Sequence, residues 1–235
     1  TIAMERTVVP ENFSFRMTDE EYRVLEKIKN SIPVCYLADH ADFALGIVTG
    51  NNKKFLSAEK TENSEMVLKG TDICKYHINP VKQYLRFEPE QFQQVAPLEI
   101  YRAPEKLLYR FISNQLVVAY DDRQMLSLNS CNIVIPKIEG MQIKYILAIL
   151  NSSVSQFVYQ KEFHSIKVLR AHMEHIPIPR VGKAIQNEII AMTEPLICGM
   201  GKEAAETCQK RLDCRIMDLF RLSAEEQWII RHALH

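Results

Sequence analysis

The sequence lacks any long hydrophobic run. Its apolar stretches are short and broken by Lys, Asn or Ser, whereas a membrane-spanning helix needs about 20 consecutive apolar residues. No basic, apolar and small-residue leader opens the chain, and its start on Thr1 rather than methionine is what an excised piece of something longer would show. Cysteines at C-x-x-C spacing are missing too. Cys35, Cys74, Cys131, Cys198, Cys208 and Cys214 are scattered, so reduced thiols are expected rather than a disulfide framework or a metal cluster. Neither sign of charge is in excess: 29 Lys and Arg balance 29 Asp and Glu, which at first argues against a nucleic-acid ligand. There is no internal repeat, no low-complexity tract and no catalytic motif.

What is present suits one domain, or one domain with an appendage. With 235 residues, 47% of them hydrophobic, the chain can bury an ordinary core without disulfides or metal. The charge is unevenly spread. Residues 157–183 carry Lys161, Lys167, Arg170, Arg180 and Lys183 against only Glu162 and Glu174, with His164, His172 and His175 among them. Phosphate binding depends on such local placement and not on the whole-chain sum.

The pattern divides along the chain. Phe13 and Phe15 alternate as a short strand would. Thr18 and Glu21 form a capping box that opens a helix with Tyr22, Leu25 and Ile28 on one face, closed by Pro33. From about 43 to 138, strands and loops are expected, including Leu116–Tyr120 and Asn132–Ile135 before Pro136. From Gln142 the spacing of Ile143, Ile146, Leu147, Leu150, Val154, Phe157 and Val158 predicts helix, interrupted at Asn151-Ser152-Ser153. Residues 163–182 read as a basic loop ending in Ile176-Pro177-Ile178-Pro179, and the last fifty residues as helices broken near Gly199 and Gly201, with a second capping box at Ser223 and Glu226.

Four stations stand out in order: Gly46-Ile47-Val48-Thr49-Gly50-Asn51-Asn52, then Val67-Leu68-Lys69-Gly70-Thr71-Asp72-Ile73, then Leu128-Asn129-Ser130, then Leu147–Ser152 with the later Ile176–Pro179. Together with Pro104–Arg110 and Ala119–Asp122, this arrangement from about Phe43 to Pro179 resembles the TaqI-like C-terminal specificity domain, the target-recognition domain of adenine-N6 DNA methyltransferases and fused restriction–modification enzymes. Leu219–Ile230 is similar to the tail that follows it in fused enzymes. Such domains are similar to type I specificity subunits. The resemblance implies an α+β fold, a twisted mixed sheet-and-loop target-recognition domain with a helical C-terminal tail. It implies an N-terminal linker and helix over 1–33, the recognition domain over 34–182, and a tail over 183–235 packed on that domain or on a partner domain.

The resemblance further implies double-stranded DNA as ligand, in the bacterial cytoplasm, and an upstream methyltransferase domain, with or without endonuclease activity, as partner. S-adenosylmethionine would serve that catalytic domain, and no cofactor or metal is expected in this chain. The Asn/Asp-Pro-Pro-Tyr/Phe motif that holds a flipped adenine has only Asn79-Pro80-Val81 as its counterpart, without the second proline or the aromatic ring. The piece is therefore expected to recognise and not to methylate.

Asn can pair bidentately with adenine, Lys and Arg with guanine or phosphate, and Thr with either. On that chemistry the DNA-binding candidates are Thr49, Asn51, Asn52, Lys53, Lys54, Lys69, Thr71, Lys75, Tyr109, Arg110, Lys167 and Arg170, with Gly46, Gly50 and Gly70 shaping turns. Exposed polar loops would have the same composition. Gly70 either lets backbone approach a phosphate or serves a solvated hairpin. Asn129-Ser130 and Asn151-Ser152 read as local backbone ligands. His172 and His175 are spaced for one helical turn, yet solvated or phosphate-facing roles fit them better than metal. Two other classes stay open: a metal-dependent nuclease using Asp121, Asp122 and Glu105, and a docking module whose C-terminal helices bind a partner protein. Against the first, Asp121 also fits as the cap of a turn after its strand.

Overall fold

The computed structural model describes residues 17–163 and 165–234; Phe13, Phe15 and His164 lie outside them. The chain opens with α1 (Asp19–Asn30), where the Thr18 hydroxyl accepts from the Glu21 amide at 3.1 Å and the Glu21 carboxylate accepts from the Thr18 amide at 3.0 Å. This closes both orphan donors, as a capping box should. The buried face is Val24, Leu25 and Ile28, while Tyr22 sits at its margin. Next come β1 (Val34–Cys35), β2 (Ala41–Ala44), the single turn α2 (Asn52–Phe55), β3 (Leu56–Ser57), β4 (Ser64–Leu68), β5 (Tyr84–Arg86) and the turn α3 (Leu98–Tyr101). Then follow β6 (Lys106–Arg110), β7 (Val118–Asp121), β8 (Leu126–Ser127) and β9 (Cys131–Pro136). The helices α4 (Ile143–Asn151), α5 (Ser153–Glu162) and the short α6 (Arg170–Glu174) lead to β10 (Ile178–Pro179), and α7 (Lys183–Ile197), α8 (Lys202–Leu219) and α9 (Ala224–Ala233) end the chain.

The central sheet runs β2-β9-β6-β7, every pair antiparallel. Side chains alternate across a pleated strand, and here both faces are covered. Leu107, Tyr109, Val118, Tyr120 and Val134 join one core with the helices; Leu108, Ala119, Cys131 and Ile133 join a second with Ile47, Phe55, Val67, Leu68 and Leu85. That second core is closed by the smaller sheet β3-β5-β4-β8, whose β4 and β8 are parallel. The result is three layers, helices on sheet on sheet, an α+β arrangement. Strands buried on both faces explain why β6, β7 and β9 read as continuous apolar runs and not as alternation.

The C-terminal helices are part of the main core. Leu196, Leu212, Ile216, Met217, Phe220, Leu222 and Ile230 are buried in the same cluster as Val24, Leu25, Leu107 and Val134. Lys27 pairs with Glu226 at 2.6 Å and Lys161 with Glu21 at 2.7 Å, joining α1 to α9 and to α5. The tail thus packs on its own domain, which is why α7–α9 carry a buried stripe. Residues 163–182, expected as a loop, contain α6. The only G-x-G spacing in the sequence, Gly199–Gly201, forms the α7–α8 turn, where Gly199 takes φ +77. The break between α4 and α5 falls at Asn151–Ser153 as expected: Ser152 caps α5 by accepting from the Ser155 amide. No helix among the described residues is long and apolar enough to cross a membrane.

Candidate nucleic-acid interface

Three of the stations come together because the segments that carry them run parallel. Val67 and Leu68 lie beside Leu126 and Ser127, and Ile47 lies beside Leu128 in the same sense. The residues that follow, Thr49–Lys54, Lys69–Thr71 and Asn129-Ser130, therefore leave the body on one side. That side is the end of the central sheet where β2 and β6 finish and β7 and β9 begin, with Arg110 opposite Cys131 and Tyr109 opposite Val118. The opposite end carries Lys106 opposite Asp121.

Close backbone approach holds the stations. A Cβ on Gly46 would lie 2.1 Å from the Leu128 carbonyl oxygen, and one on Gly70 would lie 2.4 Å from the Ser130 carbonyl oxygen. The Gly46 amide donates to Asn132 Oδ1 at 3.2 Å and the Gly70 amide to Ser130 Oγ at 3.0 Å. The backbone that comes near Gly70 is thus the protein's own and not a phosphate. Of the three glycines expected to shape turns, Gly50 alone has positive φ, at +73; Gly46 and Gly70 are required by contact instead.

The candidate residues divide by exposure. Asn51, Asn52, Lys53, Lys54, Thr71, Lys167 and Arg170 are exposed, and Lys69 is half-buried. Asn51 caps α2 by accepting from the Lys54 amide at 3.2 Å, and Lys54 Nζ reaches Gln91 Oε1 at 2.6 Å. Lys69 offers its ammonium freely, while its amide is held by Asp72 at 2.7 Å. Lys167 sits over the Phe111 ring at 5.8 Å and Arg170 over Phe43 at 5.2 Å, the latter paired with Glu174.

Four others are removed from the surface or committed within it. Thr49 is buried and its hydroxyl bonds Asn52 Oδ1 at 2.6 Å. Tyr109 is buried against the helices, and burial pushes its phenol up to about 12, with a hydrogen bond to Asn132 opposing that. Strand alternation decides this, since Tyr109 points to the helix side. Lys75 folds inward and donates to the Asn151 carbonyl at 3.2 Å, at the C-terminus of α4, where a cation is favoured. Burial lowers its ammonium from the usual lysine value, and Asp213 opposes the shift. Arg110 donates through Nε to the Gly70 carbonyl at 2.9 Å and through a terminal nitrogen to the Ile73 carbonyl at 2.6 Å. It braces the second station and positions the exposed Thr71.

Asn151 is likewise structural. It accepts from the Val118 amide at 3.1 Å and donates to the Val118 carbonyl at 2.8 Å, so it extends the β7 ladder into α4. The nuclease constellation does not assemble. Asp121 is fully buried against Lys106 at 2.5 Å and accepts from the Arg123 and Met125 amides, both at 2.9 Å, which is the turn-capping role with an ion pair added. Glu105 is bound by the Tyr120 hydroxyl, and no three of His, Cys, Asp or Glu converge among the described residues.

His172 is not solvated. It stacks on Phe163 with centroids 4.3 Å apart, and its Nδ1 accepts from the Leu169 amide at 3.2 Å. Burial lowers its value below that of an ordinary histidine, and His175 adds to the shift. The unfolded chain, with a value of about 6.5, takes up this proton first. The contribution is therefore complete above about pH 6.5 and is lost as the pH falls through the folded value. Thermal unfolding at pH 7.5 and 5.5 should show a steeper acid loss for the wild type than for His172→Gln. Equal slopes would refute the assignment.

Residues that the sequence did not single out also stand at this end. Ile112 is 61% exposed and Ile166 71% exposed, with the exposed amides Asn114 and Gln115 in the same loop as Ile112. Of the pair read as local backbone ligands, Asn129 is exposed, and Ser130 accepts from the distant Gly70 amide. Residues 110–117, 126–132 and 165–170 contain no acid. An acid-free hairpin between two buried strands was the signal that could have found them.

Residues 65–178 match the family model of the TaqI-like C-terminal specificity domain. The matched span leaves the first station outside it. A search of curated proteins gave no match. Among solved structures, the chain is similar to the type IIL restriction-modification enzyme MmeI in complex with DNA, with TM-score 0.57 and 10% identity over 88% of this chain and 37% of that one. It is also similar to the HsdS subunit from Thermoanaerobacter tengcongensis, with TM-score 0.45 and 14% identity over 92% of this chain and 50% of that one. The chain thus spans half or less of the length of these two structures.

Proposed function

We propose, from the premise that residues 65–178 are a TaqI-like specificity domain, that this chain reads duplex DNA sequence within a restriction–modification system. The family match carries the reading, and the shared exit of three stations at one end of the central sheet supports that end as the reading surface. Lys53, Lys54, Lys69, Lys167 and Arg170 would meet phosphates and fix register, while Asn51, Asn52 and Thr71 would meet base edges. Each cation that meets a phosphate contributes about 0.9 to the slope of log affinity against log salt. Lys69→Ala or Lys167→Ala should therefore lower that slope by about one, measured by fluorescence anisotropy on duplex DNA. A slope unchanged in both variants would count against this surface.

The parent enzyme of this reading is a bacterial, cytoplasmic adenine-N6 DNA methyltransferase, with or without endonuclease activity. Its S-adenosylmethionine belongs to a catalytic domain outside these residues. Here the Asn79 side chain donates to Cys74 Sγ at 3.3 Å and its backbone amide to the Asp72 carbonyl at 2.8 Å, contacts that support a structural role for Asn79-Pro80-Val81. The recognition domain would grip the duplex while the catalytic domain extrudes the adenine, a step that costs a few kcal/mol.

Exchange of residues 49–72 for those of a relative in the intact enzyme should change the modified sequence and keep turnover on the new site. The exchange stops before Lys75 and Tyr76, because the Tyr76 amide and carbonyl pair with Val118 and Tyr120 on β7 at 2.7 and 3.1 Å. An exchanged enzyme that still modifies the old site would refute base reading by these loops.

A further inference from the structure

We infer that the β6–β7 hairpin loop and the segment bridged to it form a reading surface for an A·T pair. In it the Asn114 and Gln115 amides meet adenine, and Ile112 meets the thymine 5-methyl. The inference rests on the duplex recognition proposed above and adds to it a loop, its residues and the base chemistry they take.

The loop leaves β6 at Arg110 and returns to β7 at the end where the stations emerge. Its root is tied to two of them: the Phe111 amide donates to the Ser130 carbonyl at 3.0 Å, and Arg110 grips the Gly70 and Ile73 carbonyls. Its shape is set by its own bonds, from the Gln115 amide to Ser113 Oγ at 3.1 Å and from the Leu116 amide to the buried Gln156 Oε1 at 2.9 Å. The Asn114 and Gln115 side chains stay exposed, with no partner among the described residues. Residues 165–168 run antiparallel beside the loop, through the Ser113 amide to the Ile166 carbonyl at 3.0 Å and the Val168 amide to the Phe111 carbonyl at 2.8 Å.

Ile112 and Ile166 are the two most exposed large hydrophobic side chains among the described residues, and both are carried on hydrogen-bonded backbone. Isolated exposed apolar side chains need no explanation. Ile112 is a different object. Lys167 stands opposite it, so strand alternation puts that isoleucine and that cation on one face of the bridge and Ile166 on the other. Two unpartnered amides follow Ile112 in the loop, and no acid interrupts residues 110–117 or 165–170. That combination suits the major groove, where adenine offers N6 and N7 to an Asn or Gln amide and its partner thymine offers a methyl group. The phosphates on either side favour the lysine.

The test begins with selection of duplex DNA from a random pool by the 235-residue chain, followed by replacement of each thymidine in the enriched site by deoxyuridine. Deoxyuridine keeps the base pair and removes only the methyl group. At one or two positions the wild type should weaken about fourfold, the worth of one buried methyl. Ile112→Ser should weaken on the thymidine site and show no further loss with deoxyuridine there, whereas Ile166→Ser, on the other face of the bridge, should keep the deoxyuridine penalty. The Asn114→Ala/Gln115→Ala double variant should relax the preference for the adjoining adenine by about tenfold. An enriched site with no methyl effect, an Ile112→Ser variant that keeps the full deoxyuridine penalty, or variants that bind DNA unchanged but lose a companion protein domain would each overturn the inference. A wild-type chain that enriches no sequence and binds without salt dependence would instead overturn the recognition reading itself, and this inference with it.

Discussion

Asp121→Ala is expected to lower the melting temperature by roughly 10 °C, although Asp121 touches no ligand. Its carboxylate and the Lys106 ammonium are both fully buried. Lys106 also donates to the Tyr101 carbonyl at 2.6 Å. Removing one member leaves the other charge in a low-dielectric interior without its counterion, which costs about 3–5 kcal/mol. For a chain of this length each kcal/mol moves the midpoint by about 2–4 °C. Two turn amides, from Arg123 and Met125, lose their acceptor as well. Burial already pushes the Lys106 ammonium below the usual lysine value, with Asp121 opposing the shift.

The neighbouring Asp122 is exposed, so Asp122→Ala should change stability by less than about 0.5 kcal/mol. Lys106→Met with Asp121→Asn removes the charges and keeps an acceptor for the turn, and it should recover most of the loss. Melting followed by circular dichroism distinguishes these cases. Equal midpoints for Asp121→Ala and wild type would refute the buried pair. The same comparison bears on the nuclease reading, because a variant that fails by unfolding says nothing of metal chemistry.

Gly46→Ala and Gly70→Ala should each destabilise the chain by about 3 kcal/mol, the upper range for overpacking. The atoms a new methyl would meet are the carbonyl oxygens of Leu128, Cys131 and Ser130. These are backbone atoms that cannot swing aside as a side chain would, so the 128–131 segment itself must move. That segment joins the first and second stations, so DNA affinity should fall further than the loss of folded protein accounts for. Gly182→Ser is the control: it has open space, opens α7 as its cap, and serine is a good cap residue. Denaturant midpoints read the stability and anisotropy the binding. Were Gly46→Ala as stable as Gly182→Ser, the close approach would not exist in solution.

These glycines show how far the sequence could be read. Their recurrence marked the stations, and the order of the stations marked the family, which the match over residues 65–178 supports. Local signals were also legible. The two capping boxes, the α4–α5 break and the buried strands follow from pairings within a few residues, which a sequence displays directly. The site was less so. Lys53, Lys75 and Lys167 are the same residue type in similar polar settings, yet Lys75 alone turns inward. What draws it there is the C-terminus of α4, 76 residues away in the chain.

By itself the sequence determined where α1, α4, α5 and the C-terminal helices fall and where the buried strands β7 and β9 run, though not α6 in the segment expected as a loop. Those properties depend on neighbours along the chain. Only the tertiary structure decided that three stations leave on one side, that Thr49, Tyr109, Lys75 and Arg110 are spent inside the protein, and that Ile112, Asn114, Gln115 and Ile166 stand outside. Each of those outcomes depends on which strand lies beside which. The parallel pairing of Val67 with Leu126 and of Ile47 with Leu128 joins residues some sixty to eighty positions apart. Strand pairing is chosen by the burial of whole faces, so no local pattern encodes it.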